Sequence, residues 1–114
     1  MTEYLFSYGT LQQGDVQRQL FGRLIPGTPD TLRGFRVAPI EIADPAFLAT
    51  GGSKDQRIAL PSASKEDAIE GTVLELTREE LLRADSYEPA DYSRVEVVLA
   101  SGRKAWIYAG ATGG

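Results

Sequence analysis

Residues 69–89 read IEGTVLELTREELLRADSYEP, a strand that runs straight into a helix. Ile69 to Leu76 is an apolar, β-type run carrying one glycine, Gly71. Thr77-Arg78-Glu79-Glu80 then has the capping-box pattern, Thr at the cap and Glu three residues on, which closes two of the free amides of a helix start. Leu81, Leu82 and Ala84 follow. The helix must stop near Glu88, because Pro89 disfavours the α conformation in the residue before it.

Downstream, Tyr92 to Ala100 alternates around Val95, Val97 and Leu99, Ser101-Gly102 turns, and Ala105 to Tyr108 returns with Trp106 and Tyr108, a hairpin pattern. Upstream, Tyr4 to Tyr8 reads as a first strand ending at Gly9. Asp15 to Phe21 reads as a short helix, started by Gly14-Asp15 and ended by Gly22. Pro26-Gly27-Thr28-Pro29-Asp30 reads as a turn. Thr31 to Ile40 reads as a strand broken at Gly34, with Arg33 and Arg36 exposed. Residues 43–55 read as loop, Ile58 to Pro61 as a short strand and Ser62 to Asp67 as a polar loop. Short strands with two inserted helices predict an α+β domain over residues 1–110, with a strongly twisted or barrel-like sheet, followed by a flexible tail at 111–114.

A chain of 114 residues has room for one domain and can bury a core without metal or disulfide support. Twelve basic against 16 acidic residues leave a net charge of −4, which argues against a nucleic-acid surface. There is no cysteine and no histidine, so thiolate nucleophiles, thiolate-bound metals, Ser-His-Asp triads and the usual zinc sites are excluded. Acid–base chemistry falls to Asp, Glu, Lys or Tyr. The start MTEYLFSY lacks a secretory pattern, and no segment approaches the about 20 apolar residues of a membrane span. A cytoplasmic location is the expectation.

Glu88 is the first candidate for chemistry. It lies four residues after Ala84 and seven after Leu81, on one helical face, and the face holding Leu81 should be the buried one. Burial and the negative end of the helix would both raise its pKa toward that of a general base working without histidine. On spacing alone a solvated, frayed helix end is the commoner case. Gly9 is the second candidate. A glycine directly after a strand allows a sharp turn and exposes backbone amides suited to an anion, with Tyr8 beside it, although an ordinary strand-to-turn glycine has the same pattern.

The two segments taken together resemble the gamma-glutamylcyclotransferase-like (AIG2-like) family. Tyr8-Gly9-Thr10-Leu11 matches its Y-G-S/T-L loop after the first strand. Asp85-Ser86-Tyr87-Glu88 matches its L-D-x-x-E-G motif, and Tyr92-Ser93-Arg94 the Y-x-R that follows. Gly71 to Leu76 is similar to its G-x-V/L-Y/F-x-L/I strand. Residues 26–68 match weakly, Pro89 stands in place of the glycine, and Ala84 in place of the leucine. The resemblance implies a small mixed β-barrel with a few short helices and a cavity at one end. It implies Glu88 as catalytic acid/base, and Tyr8, Gly9, Thr10 and Leu11 as a substrate loop holding either a carboxylate or an oxyanion. The implied reaction cyclises a gamma-glutamyl group to 5-oxoproline and releases an amine or amino acid, with no metal or cofactor. A small-ligand-binding domain of the same fold, without catalysis, is the alternative. A small-molecule substrate, rather than nucleic acid or membrane, is the expected partner.

Tyr92 fits either cavity lining or core packing. Arg94 fits a structural ion pair with Asp85, and Asp85 otherwise a solvated helix face. Trp106 and Tyr108 fit packing in the sheet. Gly51-Gly52-Ser53-Lys54 lacks P-loop spacing.

Overall fold

Strand β5 (Ala68–Thr77) supports one half of the molecule. It pairs antiparallel with β1 (Thr2–Ser7), from Thr2↔Thr77 to Ser7↔Thr72, and on its other edge with β2 (Gly27–Arg33), from Gly27↔Leu74 to Arg33↔Ala68. The computed structural model describes residues 2–41, 44–49, 55–88 and 91–110. Proline 89, the glycine pair at 51–52 and the tail 111–114, all singled out in the sequence, lie outside these described residues.

Strand β7 (Lys104–Gly110) supports the other half. Strand β6 (Tyr92–Val98) takes one edge of β7 along its whole length, from Tyr92↔Gly110 to Val98↔Lys104. The opposite edge is shared. It meets β1 in parallel at Leu5↔Trp106, then β4 (Asp55–Pro61) in parallel at Ala59↔Ala109. β4 pairs antiparallel with β3 (Phe35–Glu41). Among the described residues this is one seven-stranded sheet, ordered β2-β5-β1-β7-β4-β3 with β6 branching from β7, and it forks where β1 ends and β4 begins.

The α+β class stands, but the barrel is a loose description, because no ladder joins the outer strands β2 and β3. One bend connects them instead: Gly34, at φ 80, donates its N–H to the Asp67 carbonyl and accepts from the Ser62 N–H, both at 2.8 Å. That left-handed φ explains why the strand expected at 31–40 breaks there. The turn expected at Pro26–Asp30 is instead the start of β2. Pro29 sits opposite Thr72, tolerated because β2 lies at the end of the path. Within the loop expected at 43–55, α2 (Pro45–Ala49) forms, and β4 begins earlier than expected, at Asp55.

Strand alternation divides the core in two. Leu5, Leu74, Leu76 and Tyr108 face α1 (Gly14–Phe21) and α3 (Arg78–Tyr87), whose Phe21, Leu81 and Ala84 close that layer. Phe6, Val73, Ile107 and Ala109 face the other way, onto Leu32, Ala59, Ile69 and Leu99. The capping box forms as read: the Thr77 hydroxyl accepts from Glu80 N–H at 3.1 Å, and the Glu80 carboxylate accepts from Thr77 N–H at 2.9 Å. Arg23 adds a two-pronged pair to Glu80 at 2.8 and 2.7 Å, which holds that carboxyl below the usual range. At the end of α1, Gly22 takes the left-handed cap at φ 77. Gln17, which gave no sign of burial in the sequence, is 5% exposed. It ties the Leu11 carbonyl to the Ile25 amide, at 2.8 and 2.9 Å. No helix among the described residues is long and apolar enough to cross a membrane.

Gly71 is required by packing. A Cβ there would collide with the Ser7 carbonyl of β1 and stand 2.8 Å from the Phe6 ring. Gly71→Ala is expected to destabilise the fold by about 1–3 kcal/mol. An unchanged urea midpoint would show that β1 can yield.

Candidate active site

The fork in the sheet creates unpaired backbone groups, and Tyr8 takes up two of them. Its hydroxyl donates to the Tyr108 carbonyl of β7 at 2.6 Å and accepts from the Ala59 N–H of β4 at 2.9 Å. Burial pushes this phenol far above its ordinary pKa, so it stays protonated. Tyr92 makes a parallel tie, its hydroxyl donating to the Arg57 carbonyl of β4 at 2.7 Å. Its pKa is pushed up to about 12, first by burial and then by the nearby charges of Glu88 and Asp91.

After Tyr8 the chain turns at Gly9 into a short 3-10 turn, Thr10–Gln12. Its closing bonds run from Gln12 N–H to the Gly9 carbonyl at 3.2 Å and from Gln13 N–H to the Thr10 carbonyl at 2.9 Å. The amides of Thr10 and Leu11 therefore precede the first intrahelical donor, the position at which helix N–H groups are left without a helical acceptor. Leu11, 2% exposed, anchors the turn in the core. Thr10 Oγ1 meets the Tyr87 hydroxyl at 3.0 Å, and Gln12 accepts from the Thr72 hydroxyl at 3.0 Å. Gly9 is not in a glycine-only conformation: its φ is −134°, and a Cβ there would meet nothing within 4 Å. What the glycine leaves is open space in the wall of a cavity.

That cavity has a volume of about 40 Å³. Residues 5–11 form one wall, and Arg57, Glu88, Tyr92 and Tyr108 the rest. All six positions named from the sequence, Tyr8, Gly9, Thr10, Leu11, Glu88 and Tyr92, line it. Five were not foreseen as lining: Leu5, Phe6 and Ser7 of the first strand, and Tyr108 and Arg57. Tyr108 read only as sheet packing. Arg57 lies in the weakly matching middle of the chain, where nothing in the sequence marks which exposed strand residue meets the loop.

Glu88 closes the last turn of α3, its N–H donating to the Ala84 carbonyl at 3.0 Å, and leaves the helix extended at φ −73°, ψ 140°. Leu81 and Ala84 are both fully buried, as the helical face requires. Among the described residues the Glu88 carboxylate has no hydrogen-bond or ion-pair partner, and burial lifts its pKa to about 7. Asp85, one turn earlier, differs in environment. Arg94 grips it at 2.7 and 3.0 Å, and the Tyr108 hydroxyl donates to it at 2.7 Å. Arg94 also stacks over the Trp106 ring at 4.4 Å. Arg94 is thus the structural ion pair expected of it, and Asp85 is a tied side chain instead of a solvated one.

Two consequences are measurable. Tyr8→Phe leaves the Tyr108 carbonyl and the Ala59 amide without their partner, so a loss of about 1–3 kcal/mol is expected in chemical denaturation; a neutral substitution would show that water replaces the hydroxyl freely. The Glu88 carboxyl is raised from 4.5 to about 7 on folding, so its favourable contribution is complete below pH 4.5 and is lost as the pH rises through about 7. Glu88→Gln should therefore be the more stable protein at pH 8, by on the order of 1–3 kcal/mol, with the difference shrinking toward pH 4. A gap independent of pH would contradict the burial.

The sequence matches the family described as "Gamma-glutamyl cyclotransferase, AIG2-like" over residues 5–112. No curated protein matches it. Among solved structures, two solution structures of Arabidopsis thaliana proteins share the fold. One is 22% identical with a TM-score of 0.66, and the other 23% identical with a TM-score of 0.73. They align with 96% and 99% of this chain, which spans 62% and 71% of theirs. A structure titled gamma-glutamyl cyclotransferase superposes with a TM-score of 0.73 at 13% identity, over 98% of this chain and 68% of that one. With its loop and acidic motifs gathered around one cavity, the chain belongs to the gamma-glutamyl cyclotransferase, AIG2-like family.

Proposed function

We propose that this protein converts a gamma-glutamyl compound into 5-oxoproline and a free amine, with Glu88 as general acid/base. The observation that carries the reading is the Glu88 carboxylate, desolvated to a pKa of about 7 and unpaired among the described residues, in the same cavity as the Thr10–Leu11 turn. A carboxylate of that basicity accepts a proton from an ammonium far better than an ordinary glutamate does.

The step balances without a cofactor. Glu88 removes a proton from the substrate's α-ammonium. The freed amine attacks the γ-carbonyl carbon, a C–N bond forms, and the carbonyl oxygen becomes an oxyanion. That intermediate collapses, the original amide C–N bond breaks, and Glu88 returns its proton to the departing nitrogen. Of the three ammonium protons, one remains on the lactam nitrogen; Glu88 carries the first to the departing nitrogen, then as a carboxylate again takes the second from the ring nitrogen and passes it to the freed amine, which leaves as an ammonium ion. The amides of Thr10 and Leu11 would hold the α-carboxylate or the oxyanion, and Gly9 leaves room for that approach. Tyr8 and Tyr92 shape the wall and keep β4 in place, since their hydroxyl protons are bonded to backbone carbonyls. Folding the substrate into its near-cyclic form is a large part of the barrier that the cavity must lower.

The test is 5-oxoproline release from gamma-glutamyl amino acids, gamma-glutamylamines and glutathione. Activity on at least one substrate is expected, rising with pH through about 7 as Glu88 becomes the carboxylate base. Glu88→Gln should lose about 10²–10⁴-fold in kcat. Full activity of Glu88→Gln would refute the mechanism, and binding without turnover across the whole panel would favour a ligand-binding role.

A further inference from the structure

A second space shares part of the wall of the cavity around Glu88. An outer groove of about 400 Å³ shares Tyr8, Gly9, Thr10 and Arg57 with it, and Gln12 and Gln13 complete the groove's lining. Arg57 is the one charged side chain lining the groove among the described residues, and the inner cavity adds only Glu88. The backbone beneath Arg57 is held from two sides, through the Tyr92 hydroxyl on its carbonyl and the Tyr8 hydroxyl on the Ala59 amide. Its side chain is exposed, and among the described residues Nη2 reaches only the Tyr8 carbonyl, at 3.4 Å. Arg23, Arg78 and Arg94 each pair with a carboxylate, and Arg103 covers the Tyr4 ring. Arg57 has no carboxylate partner among the described residues, in a chain of net charge −4.

Resting on the cyclotransferase reading, we propose that the outer groove receives the leaving group and that Arg57 pairs with a carboxylate on it, making gamma-glutamyl amino acids and peptides better substrates than gamma-glutamylamines without an acid. In the reacting conformation the α-amine folds back on the γ-carbonyl, so the gamma-glutamyl part is compact and belongs beside Glu88. The substituent on the γ-nitrogen projects away from that ring. The adjoining space is the groove, which shares Tyr8, Gly9, Thr10 and Arg57 with the cavity. A guanidinium offers two parallel donors that match a carboxylate, an arrangement that selects for the acid and not merely for bulk.

The test compares γ-glutamylalanine with γ-glutamylethylamide, whose leaving amine is the same but for the carboxylate. Wild type is expected to favour γ-glutamylalanine in kcat/KM by about 10-fold or more, the scale of one charge-assisted contact. Arg57→Gln should bring the ratio near unity, mainly by loss on γ-glutamylalanine, and Arg57→Lys should retain part of it. Both substrates are read on the same protein sample, so a folding defect cannot imitate a changed ratio. No preference in wild type, or a ratio unchanged in Arg57→Gln, overturns the proposal. The same pair is titrated against Glu88→Gln, with and without Arg57→Gln, by NMR shift perturbation. An Arg57-dependent preference in binding with no turnover by wild type would uphold the groove and sink the cyclotransferase reading. Turnover without the preference would do the reverse.

Discussion

The Tyr8 hydroxyl sits where β7 passes from one partner to another, and the site depends on that position. β7 gives its outer edge to β6 and divides its inner edge between β1 and β4. A sheet that splits strands its own donors and acceptors, and buried groups of that kind must find partners. One phenol supplies both, accepting from Ala59 and donating to Tyr108. The result is a cavity beside strands that have moved apart, with the Ala59 amide and the Tyr108 carbonyl both satisfied. Because the hydroxyl is engaged twice, Tyr8 acts as a brace and not as an acid, and its pKa, displaced upward by burial, agrees.

Helix α3 shows how one element sorts its acids. Glu80, at the N-terminus, meets the Thr77 amide and the Arg23 guanidinium, so its charge is welcome and its pKa falls. Asp85 forms an ion pair with Arg94 and accepts from the Tyr108 hydroxyl. Glu88, at the C-terminus, receives no hydrogen bond or cation among the described residues, and burial raises it toward neutrality. The first two hold the helix to the sheet, and the third is free to exchange a proton because the first two keep it in place. A carboxylate whose charge opposes folding above neutral pH is the kind of local cost that reactive groups impose on a stable scaffold.

Much of this could be read from the chain. The capping box, the stop at Glu88, the first strand, both principal helices and the closing hairpin all follow from local signals, because caps, glycines and alternation act within a few residues. The elements misread share a different cause. Pro29 sits in a strand because β2 lies at the edge of the sheet, and Gln17 is buried because it ties two backbone groups outside its own helix, six and eight residues away. Edge position, and hydrogen bonds that join one element to the chain beyond it, leave no pattern within the element. Arg57 is the clearest case: its neighbours at the site are 49 and 35 residues away, Tyr8 and Tyr92.

The sequence by itself determined which side chains could do chemistry. With no histidine and no cysteine, acid–base chemistry falls to Asp, Glu, Lys or Tyr, and the spacing of Leu81, Ala84 and Glu88 put one carboxylate on the helical face of two apolar residues, without deciding whether that end of the helix is buried. Only the tertiary structure decided that this carboxylate has no partner among the described residues, that the Tyr8 loop lines the same cavity, and that an arginine without a carboxylate partner among those residues stands at the rim. Those are facts about what surrounds a group once strands far apart in the chain are brought together, and desolvation, which sets the reactivity of Glu88, exists only when the fold has closed around it.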